Sequence, residues 1–377
     1  MPKRVLIIGG YGNFGSYIAR ALAREADLQL VIAGRSLEKA RRSAVSLAAQ
    51  NPAEALAVDI FADLPARLAE AKPDIVIHTT GPFQSQSYAV AEACTAQGCH
   101  YVDLADARAF VAGIGCLDAS ARAREVLIVS GASSVPCLTA AVIDHYRPRF
   151  RAIERVEYGI TAAQQTNRGL ATTAAILSYV GKPFTTLIEG HMKRIFGWQD
   201  LHRVAYPELG PRLFGNCDIP DLALFPARYP ELKNLRFSAG QEVALLHLGL
   251  WALSWLVRLK LLPRLDRLAP TLLRLSFLAD LLGTAKSGFH MFLHGIGLDG
   301  RPKTERFYLL ARSGHGPHIP CMPAILLTKG LAQGRVTAIG AQPCLDLIDL
   351  ATYLSALRGL DISVIAEGID VRAASAS

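Results

Sequence analysis

Over residues 1–130, short apolar runs alternate with stretches in which apolar side chains return every three or four positions. The runs place strands at Arg4–Ile8, Leu28–Ala33, Glu54–Val58, Asp74–His78, His100–Asp103 and Val126–Ser130. Between them the helical spacing predicts helices over Asn13–Glu25, Leu37–Ala49, Tyr88–Gln97 and Leu117–Arg124. Alternation of this kind builds a parallel sheet, because each parallel return needs a crossover. Pro136, two residues after Ser134, opens a further helix that runs to about Tyr146. The pattern then changes. Ile153, Val156, Tyr158 and Ile160 open a strand-rich region, Gly169–Val180 reads as a helix, and Trp198–Tyr229, dense in Pro and Gly, as mostly loop. Lys286–Ile296 and Arg306–Ala311 flank a hairpin turn at Leu298-Asp299-Gly300, and Ile319–Ala332 and Asp346–Leu357 close the chain as helices. The expected fold class is α/β. A Rossmann doubly wound parallel sheet fills residues 1–135. An α/β substrate or dimerisation domain follows over 136–330, with an apolar helical segment at 240–283, and 331–377 form a C-terminal helical segment.

Composition narrows the class. With 377 residues, 51% hydrophobic and 19% charged, the chain is a folded protein with room for two domains. Seven cysteines without a C-x-x-C pair argue against a disulfide framework or a zinc knuckle, and they suit a reducing cytosol. The apolar run Val5–Ile8 is too short for a signal peptide. A cytoplasmic location is expected, with the membrane periphery as the second choice. The net charge of +8 is uneven: Arg258, Lys260, Arg264, Arg267 and Arg274 stand together with one acid, Asp266. That is a local basic stripe, not the general basicity of a nucleic-acid binder. Just before it, Val243–Val257 holds fifteen residues without a formal charge, including Trp251 and Trp255, short of the ~20 that span a bilayer. Three readings stay open for 243–274: a core helix followed by an amphipathic one, a contact with a membrane surface, or a homodimer face.

The chemistry is concentrated in Gly9-Gly10-Tyr11-Gly12-Asn13-Phe14-Gly15, which follows an apolar strand and opens a helix. Gly10, Gly12 and Gly15 satisfy G-x-G-x-x-G, and Gly9 extends it to G-x-x-G-x-x-G. Such glycines allow the tight turn, the approach of a pyrophosphate and close helix–strand packing, and the helix amides then face the phosphates. At the end of the second strand, an NAD enzyme carries an acid for the ribose 2′-hydroxyl. Here Gly34-Arg35-Ser36 offers a guanidinium and a hydroxyl instead, a pair for a 2′-phosphate, so NADP(H) is expected ahead of NAD(H). Arg35 as a plain surface charge and Ser36 as a helix cap are the other reading. Asp59, ending the third strand, is placed for the adenine edge or for a cap. Thr79-Thr80-Gly81-Pro82-Phe83 leaves the fourth strand where ligands of such sheets bind, and is expected at the ribose and nicotinamide side.

These segments, with His100-Tyr101-Val102-Asp103-Leu104 and Gly131-Ala132-Ser133-Ser134-Val135-Pro136, resemble the saccharopine dehydrogenase-like family. Gly314-His315-Gly316-Pro317-His318-Ile319-Pro320 is similar to a Gly-Pro-x-Ile-Pro segment in the same group. The resemblance implies a Rossmann domain, an α/β substrate domain and a final helix returning to the first. It also implies reduction of imines or carbonyls in amino-acid and polyamine metabolism, or of lipid intermediates. It makes Gly9, Gly12, Gly15, Arg35, Ser36, Gly81, Pro82 and Phe83 cofactor contacts, and places Asp103 and Ser134 near the nicotinamide. His78 departs from the pattern, since relatives carry Asn or a small residue there.

Hydride transfer needs positioning and one polarising donor more than a protein nucleophile. His78, Tyr101, Asp103 and His315 are the candidates, each with a plain structural alternative. The Tyr-x-x-x-Lys pair of short-chain dehydrogenases occurs here only at Tyr229–Lys233, interrupted by Pro230. No metal site is expected, because His290 and His294 lie on a strand, about 13 Å apart. The sequence therefore points to an NADP(H)-dependent oxidoreductase acting on a C=O, C=N or enoyl C=C of a small or lipid-like substrate. A non-catalytic NADPH-binding sensor or scaffold, and a membrane-surface lipid reductase, are the alternatives.

Overall fold

Val5, Leu6, Ile7 and Ile8 are all buried, a continuous apolar run that suits a strand covered on both faces. The computed structural model describes residues 1–262, 264–366 and 369–370. Six parallel strands follow in order: β1 (Lys3–Ile8), β2 (Leu28–Gly34), β3 (Glu54–Ala57), β4 (Ile75–His78), β5 (His100–Asp103) and β6 (Leu127–Ser130). A seventh, Gly340–Pro343, pairs in parallel with β6. The spatial order is seventh-β6-β5-β4-β1-β2-β3, so the winding reverses between β1 and β4. In a doubly wound sheet that reversal opens the crevice where a dinucleotide lies. Helices α1 (Asn13–Leu22), α2 (Leu37–Ser46), α3 (Leu64–Ala71) and α4 (Ala89–Gln97) are the first crossovers. α1 buries Gly15, Ile18, Ala19 and Leu22, one helical face.

The chain divides into two units, Met1–Ala141 with Pro317–Ala356, and Val142–Gly316 with the residues from Leu357 on. Within the first unit, the helix His318–Ala332 lies beside α1, with the Tyr17 and His318 rings 4.6 Å apart and Lys329 paired to Glu25. Residues 317–330, expected in the second domain, thus fall with the first. The second unit is built on an eight-stranded mixed sheet whose central strand, Phe150–Ala162, lies between Asn234–Gln241 and Ser287–Gly297. The expected hairpin is present, with Ser287–Gly297 antiparallel to Pro302–Ala311.

Several local expectations change. Trp198–Tyr229 is not mostly loop: it contains strands His202–Tyr206 and Gly210–Asn216 and the helix Asp221–Arg228. Its glycines and prolines punctuate less than they suggest. Gly215 is a packing glycine, since a Cβ there would stand 2.9 Å from the Trp198 backbone. The helix expected over Leu117–Arg124 is present as Asp118–Ala123, and an unexpected helix Arg108–Gly113 and 3₁₀ turn Ile114–Leu117 precede it. At Pro136 the expectation holds: Val135 is extended, at φ −116 and ψ 122, and helical backbone runs from Pro136 into the helix Thr139–Tyr146. The C-terminal segment is not wholly helical, because Ile362–Ala366 adds a strand antiparallel to Pro302–Ala311. The last part of that expectation, 371–377, lies outside the described residues.

Candidate cofactor site

The expected cofactor residues converge at the C-terminal ends of the first unit's parallel strands. Gly9 takes φ +84 and its carbonyl accepts the Gly12 N–H at 2.7 Å, closing the turn between β1 and α1. Gly15 packs against that turn so closely that a Cβ would fall 2.2 Å from the Gly9 carbonyl oxygen. Gly10, Tyr11, Asn13 and Phe14 complete the loop. At the start of α1, Gly12 supplies no side-chain cap and no acid stands in the first turn. The first amides of a helix have no acceptor inside it, and no carboxylate of this turn competes for their field. The arrangement suits a bound anion.

At the end of β2, Tyr11 lies over Gly34: a Cβ there would come within 2.6 Å of the Tyr11 hydroxyl. That hydroxyl accepts the Ser36 N–H at 3.0 Å. Ser36 is the N-cap of α2, its Oγ accepting the Lys39 N–H at 3.3 Å. The hydroxyl proton remains available, since a serine can accept and donate at once, so the cap and a phosphate contact are compatible. Arg35 is exposed and makes no ion pair among the described residues, while the nearby acid Glu38 is paired with Arg42. Ser36→Ala is expected to cost about 1 kcal/mol of stability by loss of the cap. It should also weaken NADPH a few-fold more than NADH. Denaturant unfolding and calorimetric titration check the two effects separately. Asp59, beyond β3, uses Oδ1 to accept the Phe61 N–H at 3.0 Å, the loop-anchoring alternative, and remains partly exposed.

Thr79 ties the loop after β4 to β1, its N–H and Oγ1 both donating to the Ile8 carbonyl at 2.9 Å. Gln86 then closes the loop from the other side, donating to the carbonyls of Thr80 and Pro82, so Thr80-Gly81-Pro82 is braced before Phe83 enters the core. His78, at the end of β4, is buried and joins two hydroxyls: Nδ1 is 3.0 Å from Tyr101 and Nε2 is 2.6 Å from Thr80. Burial lowers its pKa to about 3, so the ring is neutral and carries a single proton. The Tyr101 hydroxyl lies near enough to Asp103 to favour its charged form. Two arrangements satisfy a neutral ring: Nδ1–H donates to Tyr101 while Nε2 accepts from Thr80, or the Tyr101 hydroxyl donates to Nδ1 while Nε2–H donates to Thr80 Oγ1.

Asp103, at the end of β5, is fully buried. Its Oδ1 accepts from Ala105 N–H at 2.9 Å, Ser130 Oγ at 3.0 Å and Gly131 N–H at 2.8 Å, tying the exits of β5 and β6 together. Oδ2 is buried with no hydrogen-bond partner. Burial outweighs the three donors and raises the pKa to about 6. Ser134, also buried, interacts with Tyr353, whose hydroxyl donates to the Ile319 carbonyl at 2.6 Å. The structure thus brings His78, Tyr101 and Asp103 together with Thr80. His315 lies in the second unit, where its Nδ1 accepts the Asp361 N–H at 2.7 Å. Among the described residues, no group of three or more His, Cys, Asp or Glu is placed to hold a metal ion.

Sequence reasoning missed Ser130 and Gln86. Ser130 carried a signal, because it ends an apolar strand with a polar residue as His78 and Asp103 do. Gln86 carried none, since its partners are backbone carbonyls set by the loop's path.

Residues 5–173 match the family model of the saccharopine dehydrogenase NADP binding domain. No curated protein sequence matches the chain. Among solved structures, it is similar to apo histidine-tagged saccharopine dehydrogenase (L-Glu forming) from Saccharomyces cerevisiae. That pair shares 12% identity and a TM-score of 0.67, over 97% of this chain and 99% of the other. It is also similar to an amine dehydrogenase from Mycobacterium smegmatis, at 10% identity, TM-score 0.47, over 91% of this chain and 95% of that one. A mutant meso-dapdh with DAP from Clostridium tetani E88 gives 12% identity, TM-score 0.46, over 93% and 95%. The yeast likeness shows a common fold along both chains. The resemblance read from the glycine loop and the strand-end motifs holds, and NADP is the cofactor the family model names.

Proposed function

We propose that this NADP-dependent oxidoreductase, whose residues 5–173 match the saccharopine dehydrogenase NADP binding domain, reduces a C=O, C=N or enoyl C=C bond of a small or lipid-like molecule. The observation that carries the reading is Arg35, exposed and without an ion pair among the described residues, beside a glycine turn whose helix start no side chain among them caps. These features fit the cofactor: the close approach at Gly15 preserves a turn that a Cβ would break, and Arg35 is the unmatched charge a 2′-phosphate would neutralise. When bound, the cofactor supplies the hydride.

The chain's own residues would do the rest. The amides from Tyr11 to Phe14 would hold the pyrophosphate, Arg35 and the Ser36 hydroxyl the 2′-phosphate, and Asp59 the adenine edge. The braced loop Thr79–Phe83 would border the ribose and the nicotinamide. Thr80, its hydroxyl held by neutral His78, suits a ribose hydroxyl or the nicotinamide carboxamide. Asp103 would act behind this surface by holding the exits of β5 and β6, with Ser134 beside it. On this reading His78, Tyr101 and Asp103 are positioning residues, and the proton required by a reduced carbonyl or imine comes from the substrate's side of the site.

The test is NADPH oxidation by the purified full chain against ketones, imines and enoyl thioesters, including long-chain ones. Turnover on at least one class is expected. Tight NADPH binding without oxidation on any of them would favour the sensor or scaffold alternative. Among the lipid-like options, a reductase working at a membrane surface is favoured by one observation, the exposed apolar face of the second unit. No helix among the described residues is long and apolar enough to cross a membrane, so such contact would be peripheral.

A further inference from the structure

The second unit contains a helical cluster with two apolar faces. Helices Leu170–Tyr179, Ala244–Arg258 and Ala269–Phe277 meet around a small core of Leu177, Val180, Trp198, Val257, Leu265 and Ala269. Along Ala244–Arg258, the inward stripe is His247, Leu250, Ser254 and Val257, at intervals of three or four. That stripe satisfies the fold. The opposite face should then be polar, yet Leu245, Leu248, Trp255, Leu256 and Leu259 occupy it, all exposed. The face continues past the helix: Leu261 is 70% exposed, Leu278 76%, Leu281 94% and Leu282 70%. Of the large apolar side chains exposed among the described residues, twelve fall between Leu245 and Leu282. Such a concentration marks an interaction surface, where scattered exposed leucines would need no explanation.

The segment is held firmly from beneath. Gln164 donates to the Ser276 carbonyl at 2.7 Å and to Asp280 at 2.9 Å, and Arg168 binds the same carboxylate at 2.5 Å. Arg258 stacks on Trp255, 5.0 Å from the ring centre, while donating to Gln199. The remaining charges identify the partner. Between Leu245 and Leu282 the only acids are Asp266 and Asp280, and each is paired, with Arg264 and Arg168 respectively. Lys260, Arg267 and Arg274 stay exposed without an ion pair among the described residues. A two-fold dimer would set this patch against itself and bring those cations together. An anionic surface satisfies both halves of the pattern, with leucines in the acyl boundary and cations at the head groups.

We infer that the face Leu245–Leu282 docks the enzyme on an anionic lipid bilayer. The inference deepens the membrane-surface reading of a lipid-like substrate, and its test does not depend on catalysis. The probes are vesicles of phosphatidylcholine, alone or mixed with phosphatidylglycerol, floated with the full chain loaded with NADPH. The protein should rise with the mixed vesicles, less with the neutral ones, and less again as salt is raised. A Leu278→Glu, Leu281→Glu, Leu282→Glu variant should bind mixed vesicles at least about tenfold more weakly. A Lys260→Glu, Arg267→Glu, Arg274→Glu variant should lose the preference for anionic lipid. Both alter exposed side chains only, and both should titrate with NADPH as the parent does. A parent that fails to float with mixed vesicles overturns the docking, as does equal flotation of parent and leucine variant. A dimer that the leucine variant dissolves, without vesicle binding by the parent, assigns the face to a second copy instead. NADPH binding that persists through any of these failures leaves the cofactor reading standing.

Discussion

Arg35→Asp is expected to weaken NADPH about a hundredfold while changing NADH less than about threefold. A charge-assisted bond to a phosphate contributes roughly 1.5–3 kcal/mol. The substitution removes that bond and sets a carboxylate against the 2′-phosphate. NADH has a hydroxyl at that position, and an acid at the end of the second strand is what binds a 2′-hydroxyl in NAD enzymes, so its affinity should hold or rise slightly. Folding should be unaffected, because Arg35 is exposed and makes no ion pair among the described residues. Calorimetric titration with both coenzymes at two salt concentrations checks the claim. The parent's NADPH affinity should fall with salt more steeply than the variant's. Arg35→Lys should lie between, since an ammonium keeps the charge without the planar fork. Equal losses for the two coenzymes would count against Arg35 as the 2′-phosphate ligand.

Arg35 was legible in the sequence for the same reason the parallel sheet was. β1, β2, β4, β5 and β6 are short, largely apolar runs, each ending where a polar or glycine residue takes over, and the run of β3 carries on through Val58 to Asp59. Their C-terminal ends therefore announce the site before any packing is known. What stayed hidden depends on contacts distant in sequence. Tyr11 meets Ser36 across twenty-five positions, and Asp103 meets Ser130 and Gly131 across twenty-seven and twenty-eight. The seventh strand, Gly340–Pro343, is four residues ending in proline and shows no periodicity; its partner β6 makes it a strand. The second unit was least legible, because glycine serves two ends there. Gly300, at φ +77, makes the expected turn, whereas Gly215 clears space for the Trp198 backbone. Sequence spacing reads the first use and mistakes the second for loop.

The buried carboxyl of Asp103 should make the stability of the first unit depend on pH in an unusual sense. Its folded pKa, about 6, lies above the ordinary aspartate value of 3.8, so the folded state binds the proton more tightly than the unfolded chain. The stabilisation is complete below the unfolded value and is lost as pH rises through the folded one. A displacement of that size corresponds to about 3 kcal/mol across that window. Most paired carboxylates act in the opposite sense; Glu54, lowered by its bond to Arg4, gains stability over the same range. The quantity to measure is therefore a difference. Asp103→Asn keeps an oxygen for Ala105, Ser130 and Gly131 but cannot ionise. In urea unfolding, the variant's stability relative to the parent should rise by about 3 kcal/mol between pH 4 and pH 7, with NADPH affinity held within about threefold. Asp103→Leu, which leaves three donors without an acceptor, should lose several kcal/mol at every pH. It should also release the exits of β5 and β6, and with them NADPH binding. Parallel stability curves for the parent and Asp103→Asn would mean that the carboxyl titrates in its ordinary range, its donors balancing burial, and would sink the claim that burial dominates at this position.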